Sequence, residues 1–118
     1  NTNDRLGYLR VRSCAQARAI ENQCYVAIAG CAGNLPFVEN ADIHYSQCGI
    51  FTPSDVGFAR DAIAAESTPN IETVLVHDVD VELLQRNRAN GTVRPLRDRR
   101  TDIYEVHWKD ANGNPRKV

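Results

Sequence analysis

Cysteine, histidine and arginine are the residues of this chain whose types and spacing could do chemistry. The cysteines stand at positions 14, 24, 31 and 48, with no CxxC pair among them. A cysteine nucleophile needs a base within hydrogen-bond reach or a positive environment that favours the thiolate, and it usually sits at a strand end or a helix start. Cys14 falls midway along a helical pattern, and Cys24 and Cys31 flank a strand-like run. The ordinary fate of a free cysteine, a small buried hydrophobe, therefore fits them better than a nucleophile does. Unpaired thiols in such surroundings point to a reducing, cytoplasmic setting. His44 and Cys48 are four apart, which on a strand separates them by roughly 13 Å, too far to chelate one ion. His77, Asp78 and Asp80 are closer in sequence, but Asp80 is already placed to cap a helix. No metal site and no cofactor are expected.

Arginine is concentrated near the C-terminus: Arg86, Arg88, Arg94, Arg97, Arg99 and Arg100 face only Asp98 within residues 86–100. Such a segment can pair bidentately with carboxylate or phosphate. There is no interleaved aromatic platform, however, and 14 basic residues are offset by 15 acidic ones over the chain, so nucleic acid is not an expected partner. These arginines are better read as ties between the C-terminal segment and acidic groups of the same fold or of a partner subunit. The alternative is a non-catalytic module that captures an anion with residues 86–100. Arg18 and Glu21, three apart on a helix, read as a structural ion pair.

The elements that must position these residues follow from periodicity. Residues 5–23 carry Leu6, Leu9, Ser13, Ala17, Ile20 and Cys24 at helical spacing, with Asn3 or Asp4 as N-cap. "CYVAIAG" is a short run with few polar residues that reads as a strand covered on both faces. A loop over 34–42 follows, then a strand over 43–52, a turn at "PSD", and a weak strand at Ile63–Glu66. After the break "STPN" a stronger strand is expected over 72–79, beside the previous one. Asp80 caps a helix from Val81 to about Ala89 that Asn90-Gly91 stops. "DIYEVHW" suggests a last strand, and "KDANGNPRKV" has the composition of a frayed end. The 118 residues are the length of one α/β domain with no internal boundary. No apolar run approaches the roughly 20 residues of a membrane span, so no membrane association is expected.

"CAQARAIENQCYVAIAG" resembles the R-A-x-E-N helix and following strand of the carbon-nitrogen hydrolase, or nitrilase, superfamily. "YSQCGIFTP" resembles that family's G-x-S-x-I-x-x-P strand, with Cys48 at the usual Ser and Ser46 at the usual Gly. "VLVHDVDVELLQRNR" resembles its penultimate strand and helix, with Asp80 and Arg88 at matching positions. "RDRRTDIY" resembles a C-terminal R-R-x-D-x-Y carried by Arg99, Arg100, Asp102 and Tyr104. The stretches "GNLPFVEN" and "FTPSD" resemble the branch in which an acetyltransferase-like domain precedes the hydrolase.

The resemblance implies the C-terminal portion of a four-layer α-β-β-α sandwich, incomplete in this chain. It also implies amidase-type chemistry on a small-molecule amide or nitrile. A Cys attacks, a Glu serves as general base, a Lys steadies the tetrahedral intermediate, and an acyl-thioester is hydrolysed by water. In the family those three residues precede the R-A-x-E-N helix, so no catalytic residue is expected in this chain and the four cysteines are scaffold. The strand end after the helix borders the substrate pocket, usually with an Asn, where this chain has Gly30 followed by Cys31. Arg18, Glu21, Asn22, Arg99, Arg100 and Tyr104 are expected in structural or dimer contacts of a homo-oligomer. The remaining rival is a self-contained cysteine enzyme that uses Cys14 or Cys31.

Overall fold

The computed structural model of the chain describes residues 2–39 and 43–117; the last three residues of the expected 34–42 loop lie outside them. Helix α1 spans Arg5–Glu21 and opens on Asp4, whose carboxylate accepts from the Gly7 backbone N–H at 2.6 Å. That bond satisfies one of the amides a helix start leaves without a partner. The helix ends two residues before the expected 23, because Gln23 takes a left-handed backbone (φ 46°) that a right-handed helix cannot continue.

Three short strands form an antiparallel meander in the order β1 (Val26–Ile28), β2 (Gly49–Phe51) and β3 (Ile63–Glu66). Val26 pairs with Phe51 and Gly49 with Glu66, and the β2–β3 register shifts between Ile50 and Phe51. β3 has the bounds its sequence suggested, whereas β2 is shorter than 43–52. Upstream of it the backbone bonds elsewhere: the Tyr45 N–H donates to Thr2 O at 2.7 Å and the Ser46 N–H to Asn70 Oδ1 at 3.0 Å. β1 is covered less than its composition suggested, for Val26 and Ile28 are half-buried and Ala27 is exposed.

The core lies where α1 crosses this sheet. Ala15 and Ala19 meet Phe51, with Val26, Ile28 and Ile63 packed around them. The helix thus buries Tyr8, Ala15 and Ala19, not the expected stripe of Leu6, Leu9, Ser13, Ala17 and Ile20; Leu6 is 61% exposed. The phase is displaced by one residue, roughly 100° of rotation. Small alanines let the helix axis approach the sheet, and a polar pair fixes the rotation. Arg12 Nε donates to Glu66 Oε1 at 2.5 Å while its guanidinium lies over the Phe51 ring, 5.5 Å from the centroid.

Helix α2 (Val81–Asn90) begins at the Asp80 cap, which accepts from the Leu83 N–H at 2.7 Å, and stops at Gly91, both as expected. It is joined to the rest by Arg88, whose Nε donates to Gln23 O at 2.7 Å, and by Asn87, whose amide donates to Val56 O at 3.1 Å. Residues 72–79, expected as a strand beside β3, form no strand: Val74 and Val76 are 86% and 82% exposed. An extended segment is held only by ladder bonds to a neighbour and by an apolar face, and no such neighbour lies among the described residues.

The expected strand over 102–108 is reduced to β4 (His107–Lys109). It pairs with β5 (Pro115–Lys117) in a hairpin where a frayed tail was expected. Asp110 closes the turn, accepting from the N–H groups of Asn112 and Asn114, with Gly113 at φ 80°, a conformation that favours glycine.

The Arg12–Glu66 contact generates a prediction. Arg12→Met should lower stability by about 2 kcal/mol, since it leaves a half-buried carboxylate without its charged donor. Adding Glu66→Leu should then cost little more, because neighbours that share one interaction are not additive. Urea unfolding of both single variants and the double variant measures this, and fully additive losses would refute the pairing.

Candidate functional site

The end of β1, the N-terminal half of α1 and the approach to β2 line a half-open cavity of about 70 Å³. Its wall includes Tyr8, Val11, Ile28, Gly30, Cys31 and Ser46. Both strand-end residues singled out in the sequence, Gly30 and Cys31, are therefore cavity wall. Gly30 has a packing reason to be glycine: a Cβ there would run into the Ser46 hydroxyl and lie 2.9 Å from its Cβ. Gly30 and Ser46, the two positions at which the resemblance implied other residues, face each other, a side chain absent at 30 and one present at 46.

Sequence reasoning missed Tyr8, because the leucine stripe placed it off the buried face of α1. Tyr8 is 5% exposed, and its ring lies 5.7 Å from that of Tyr45. Its phenol oxygen is buried without a hydrogen-bond partner among the described residues. Burial first, and then the Glu66 carboxylate, push the phenol above its ordinary pKa, so it remains a hydrogen-bond donor through neutral pH. Neighbouring donors are committed: Thr2 Oγ1 donates to Tyr45 O at 2.6 Å, and Gln47 Nε2 donates to Ser67 O at 2.6 Å.

The cysteines do not share one environment. Cys14 and Cys31 are exposed, against the expectation of small buried hydrophobes, while Cys24 and Cys48 are half-buried, and all four are free thiols. Exposure of Cys14 follows from the rotation of α1, and that of Cys31 from its place past the end of β1. The Cys24 thiol donates to Arg18 O at 3.8 Å. His44 is buried and Cys48 half-buried. No group of three His, Cys, Asp or Glu side chains is placed to hold a metal ion among the described residues.

Arg18 Nη1 and Glu21 Oε1 pair at 2.6 Å on the open side of α1, and the Asn22 amide donates to Arg18 O at 3.0 Å. Most of the Arg-rich segment binds groups of its own chain. Arg88 caps the end of α1, Arg94 reaches Ala89 O, and Arg99 Nε donates to Leu96 O at 3.0 Å. Arg100 makes a two-pronged contact with Asp102, both bonds 2.7 Å. Tyr104 is exposed beside this pair, its N–H donating to Arg100 O. Donors already committed to carbonyls and carboxylates do not form an open anion site.

A second polar cluster ties the turn after β2 to the loop after α2. The Thr92 hydroxyl donates to Asp55 Oδ1 at 2.6 Å, and the Val56 N–H donates to the same oxygen at 2.7 Å. The Thr92 hydroxyl above all, with backbone N–H groups of Val56, Val93 and Thr92, holds the Asp55 carboxyl below its usual range.

Residues 1–89 match the family model of carbon-nitrogen hydrolase, and the chain belongs to that family. The match ends before the Arg99–Tyr104 stretch. Over 108 residues the chain is 62% identical to "Probable hydrolase YhcX" of Bacillus subtilis (strain 168), a similarity that covers 92% of this chain and 21% of that relative. The chain thus spans about a fifth of the relative's length. No solved structure matches it. Among the described residues no helix is long and apolar enough to cross a membrane.

The Asp55 cluster predicts a pH dependence. A carboxyl that titrates lower in the folded chain contributes stability in full above the unfolded pKa of about 3.9, and that contribution is lost as the pH falls through the folded value. Thr92→Val should therefore cost up to about 1 kcal/mol at pH 7 and markedly less at pH 2. Urea unfolding at the two pH values measures it; equal losses would show that the hydroxyl does not stabilise the carboxylate.

Proposed function

We propose that the chain is the C-terminal, supporting part of an amidase-type hydrolase whose Cys, Glu and Lys lie in polypeptide outside residues 1–118. The family match over residues 1–89 carries this reading. Its substrate is a small linear amide or a related compound with a non-peptide C–N bond. The Cys would form an acyl-thioester, the Glu would move the proton, and the Lys would hold the developing oxyanion. Within this chain, lysine stands only at positions 109 and 117, on the terminal hairpin, and among the described residues no lysine or carboxylate lines the cavity beside Cys31. That supports a scaffold role for its cysteines.

In this reading β1–β3 and α1 are half of a four-layer α-β-β-α sandwich, and Gly30 and Cys31 form part of the substrate-pocket wall. The exposed side of α1, with Leu6, Leu9 and Ile20 near the Arg18–Glu21 pair, suits contact with a second subunit in a homo-oligomer. Arg99, Arg100 and Tyr104 would hold the C-terminal segment in that assembly. Free thiols at positions 14, 24, 31 and 48 suit the cytoplasm.

The test uses the intact parent polypeptide and a panel of linear amides and nitriles, with ammonia release as readout and peptide mapping of the acyl adduct. We expect turnover by the parent, none by this chain alone, and an adduct on a cysteine outside residues 1–118. An adduct on Cys14, Cys24, Cys31 or Cys48, or no turnover of any compound, would overturn the reading.

A further inference from the structure

We infer that Asn112 is a site of spontaneous deamidation, a covalent modification that adds a carboxylate to the turn of the terminal hairpin. Asparagine followed by glycine occurs twice in the chain, at Asn90-Gly91 and at Asn112-Gly113. Asparagine is among the chemically labile residues, and its side-chain carbonyl is open to attack by the backbone nitrogen of the residue after it. Glycine at that place has no Cβ to hinder the approach. Asn114 is no candidate, because Pro115 follows it and a proline nitrogen carries no proton to give up.

The chemistry needs only water. The Gly113 nitrogen loses its proton to solvent and bonds to Asn112 Cγ; the Cγ–Nδ2 bond breaks, and ammonia leaves with a proton taken back from solvent. A five-membered imide remains. Water adds to one of its two carbonyls and breaks that carbonyl's bond to nitrogen. One opening gives aspartate, and the other gives isoaspartate, whose main chain runs through the former side chain. In all, one water is consumed and one ammonia released.

Local structure separates the two pairs. Both glycine N–H groups donate, that of Gly113 to Asp110 O at 2.9 Å and that of Gly91 to Asn87 O at 2.7 Å, so the reaction waits on an opening that frees the amide. Around Gly91 the chain is crowded: a Cβ there would collide with Asn87 Oδ1 and lie 2.7 Å from Asp55 Oδ2. Asn87 and Arg88 also fasten that end of α2 to Val56 O and Gln23 O. At Gly113, among the described residues, nothing but its chain neighbours lies within 4 Å of the same point. β4 is exposed along its length, and a two-stranded hairpin without cover is marginally stable in water. The hairpin therefore opens at less cost than the end of α2, and Asn112 reacts first.

The product disturbs the turn that made it. Asp110 Oδ1 accepts from the Asn112 and Asn114 N–H groups at 2.9 Å each, and Asp110 Oδ2 accepts from Arg116 Nε at 3.2 Å. A carboxylate at 112 repels the one at 110, and isoaspartate lengthens the main chain by one carbon between the two N–H groups that Asp110 gathers.

Peptide mapping by mass spectrometry of the intact parent polypeptide, incubated at neutral and at mildly alkaline pH, tests this. Conversion at Asn112 should outpace that at Asn90 by about ten-fold or more, as a difference in the free energy of local opening produces, and it should quicken as the pH rises and the amide gives up its proton more readily. Asp110→Ala, which removes the carboxylate that closes the turn, should speed conversion at Asn112 and leave Asn90 unchanged. No conversion at Asn112, conversion at Asn90 as fast as at Asn112, or an Asp110→Ala rate no faster than that of the wild type would overturn the assignment.

Discussion

The Arg12 side chain is the constraint on which the rest of this structure depends. Its guanidinium meets Glu66 at the far end of β3 and covers the ring of Phe51 on β2, so one residue of α1 binds two strands at once. The pair is only about one-fifth exposed on either side, where losing one partner is costly because it leaves the other charge uncompensated. Once Arg12 is fixed, the helix has a single rotation, which puts Ala15 and Ala19 against the sheet, Tyr8 into the cavity wall and Leu6, Leu9 and Ile20 outward. Stability, cavity and outer face are three consequences of one placement.

That placement leaves the chain open. Its Cα radius of gyration is 18.0 Å, against about 13.5 Å for a compact chain of this length. Phe37, Val74 and Val76 are largely exposed. Apolar surface of this kind is stable in water only when something else covers it. A chain that spans about a fifth of the length of a relative it matches is in that position, because packed elements bury one another and a helix or sheet alone leaves one face uncovered.

Local signals were the legible ones. A cap at Asn3 or Asp4, which the structure assigns to Asp4, the Asp80 cap, the Gly91 stop, the bounds of β3 and the Arg18–Glu21 pair each follow from a few adjacent residues. What depends on a distant partner was not legible. The phase of α1 was read from its leucines, but the sheet selected alanines and an arginine 54 positions from its carboxylate. Residues 72–79 have the composition of a strand and no edge to join among the described residues. The terminal hairpin was hidden because its turn residues, Asp110 to Asn114, are also those of a disordered tail. Cavity residues fell on both sides of this line: Gly30 and Cys31 came from resemblance, whereas Tyr8 required the rotation of the helix.

The Gly30–Ser46 contact carries this argument one step further. Taken alone, each departs from the family pattern and weakens any inference from it. Taken together they are compatible, since the space a Cβ would occupy at 30 is taken by the hydroxyl at 46, and packed contacts tolerate exchange better than addition. The arrangement is not chemically neutral, because the polar group at this place comes from the segment that enters β2 and not from the strand that follows α1. Tyr8 lines the same cavity as both. The strand end thus stays packed while the hydrogen-bonding groups around the cavity come from the segment that enters β2.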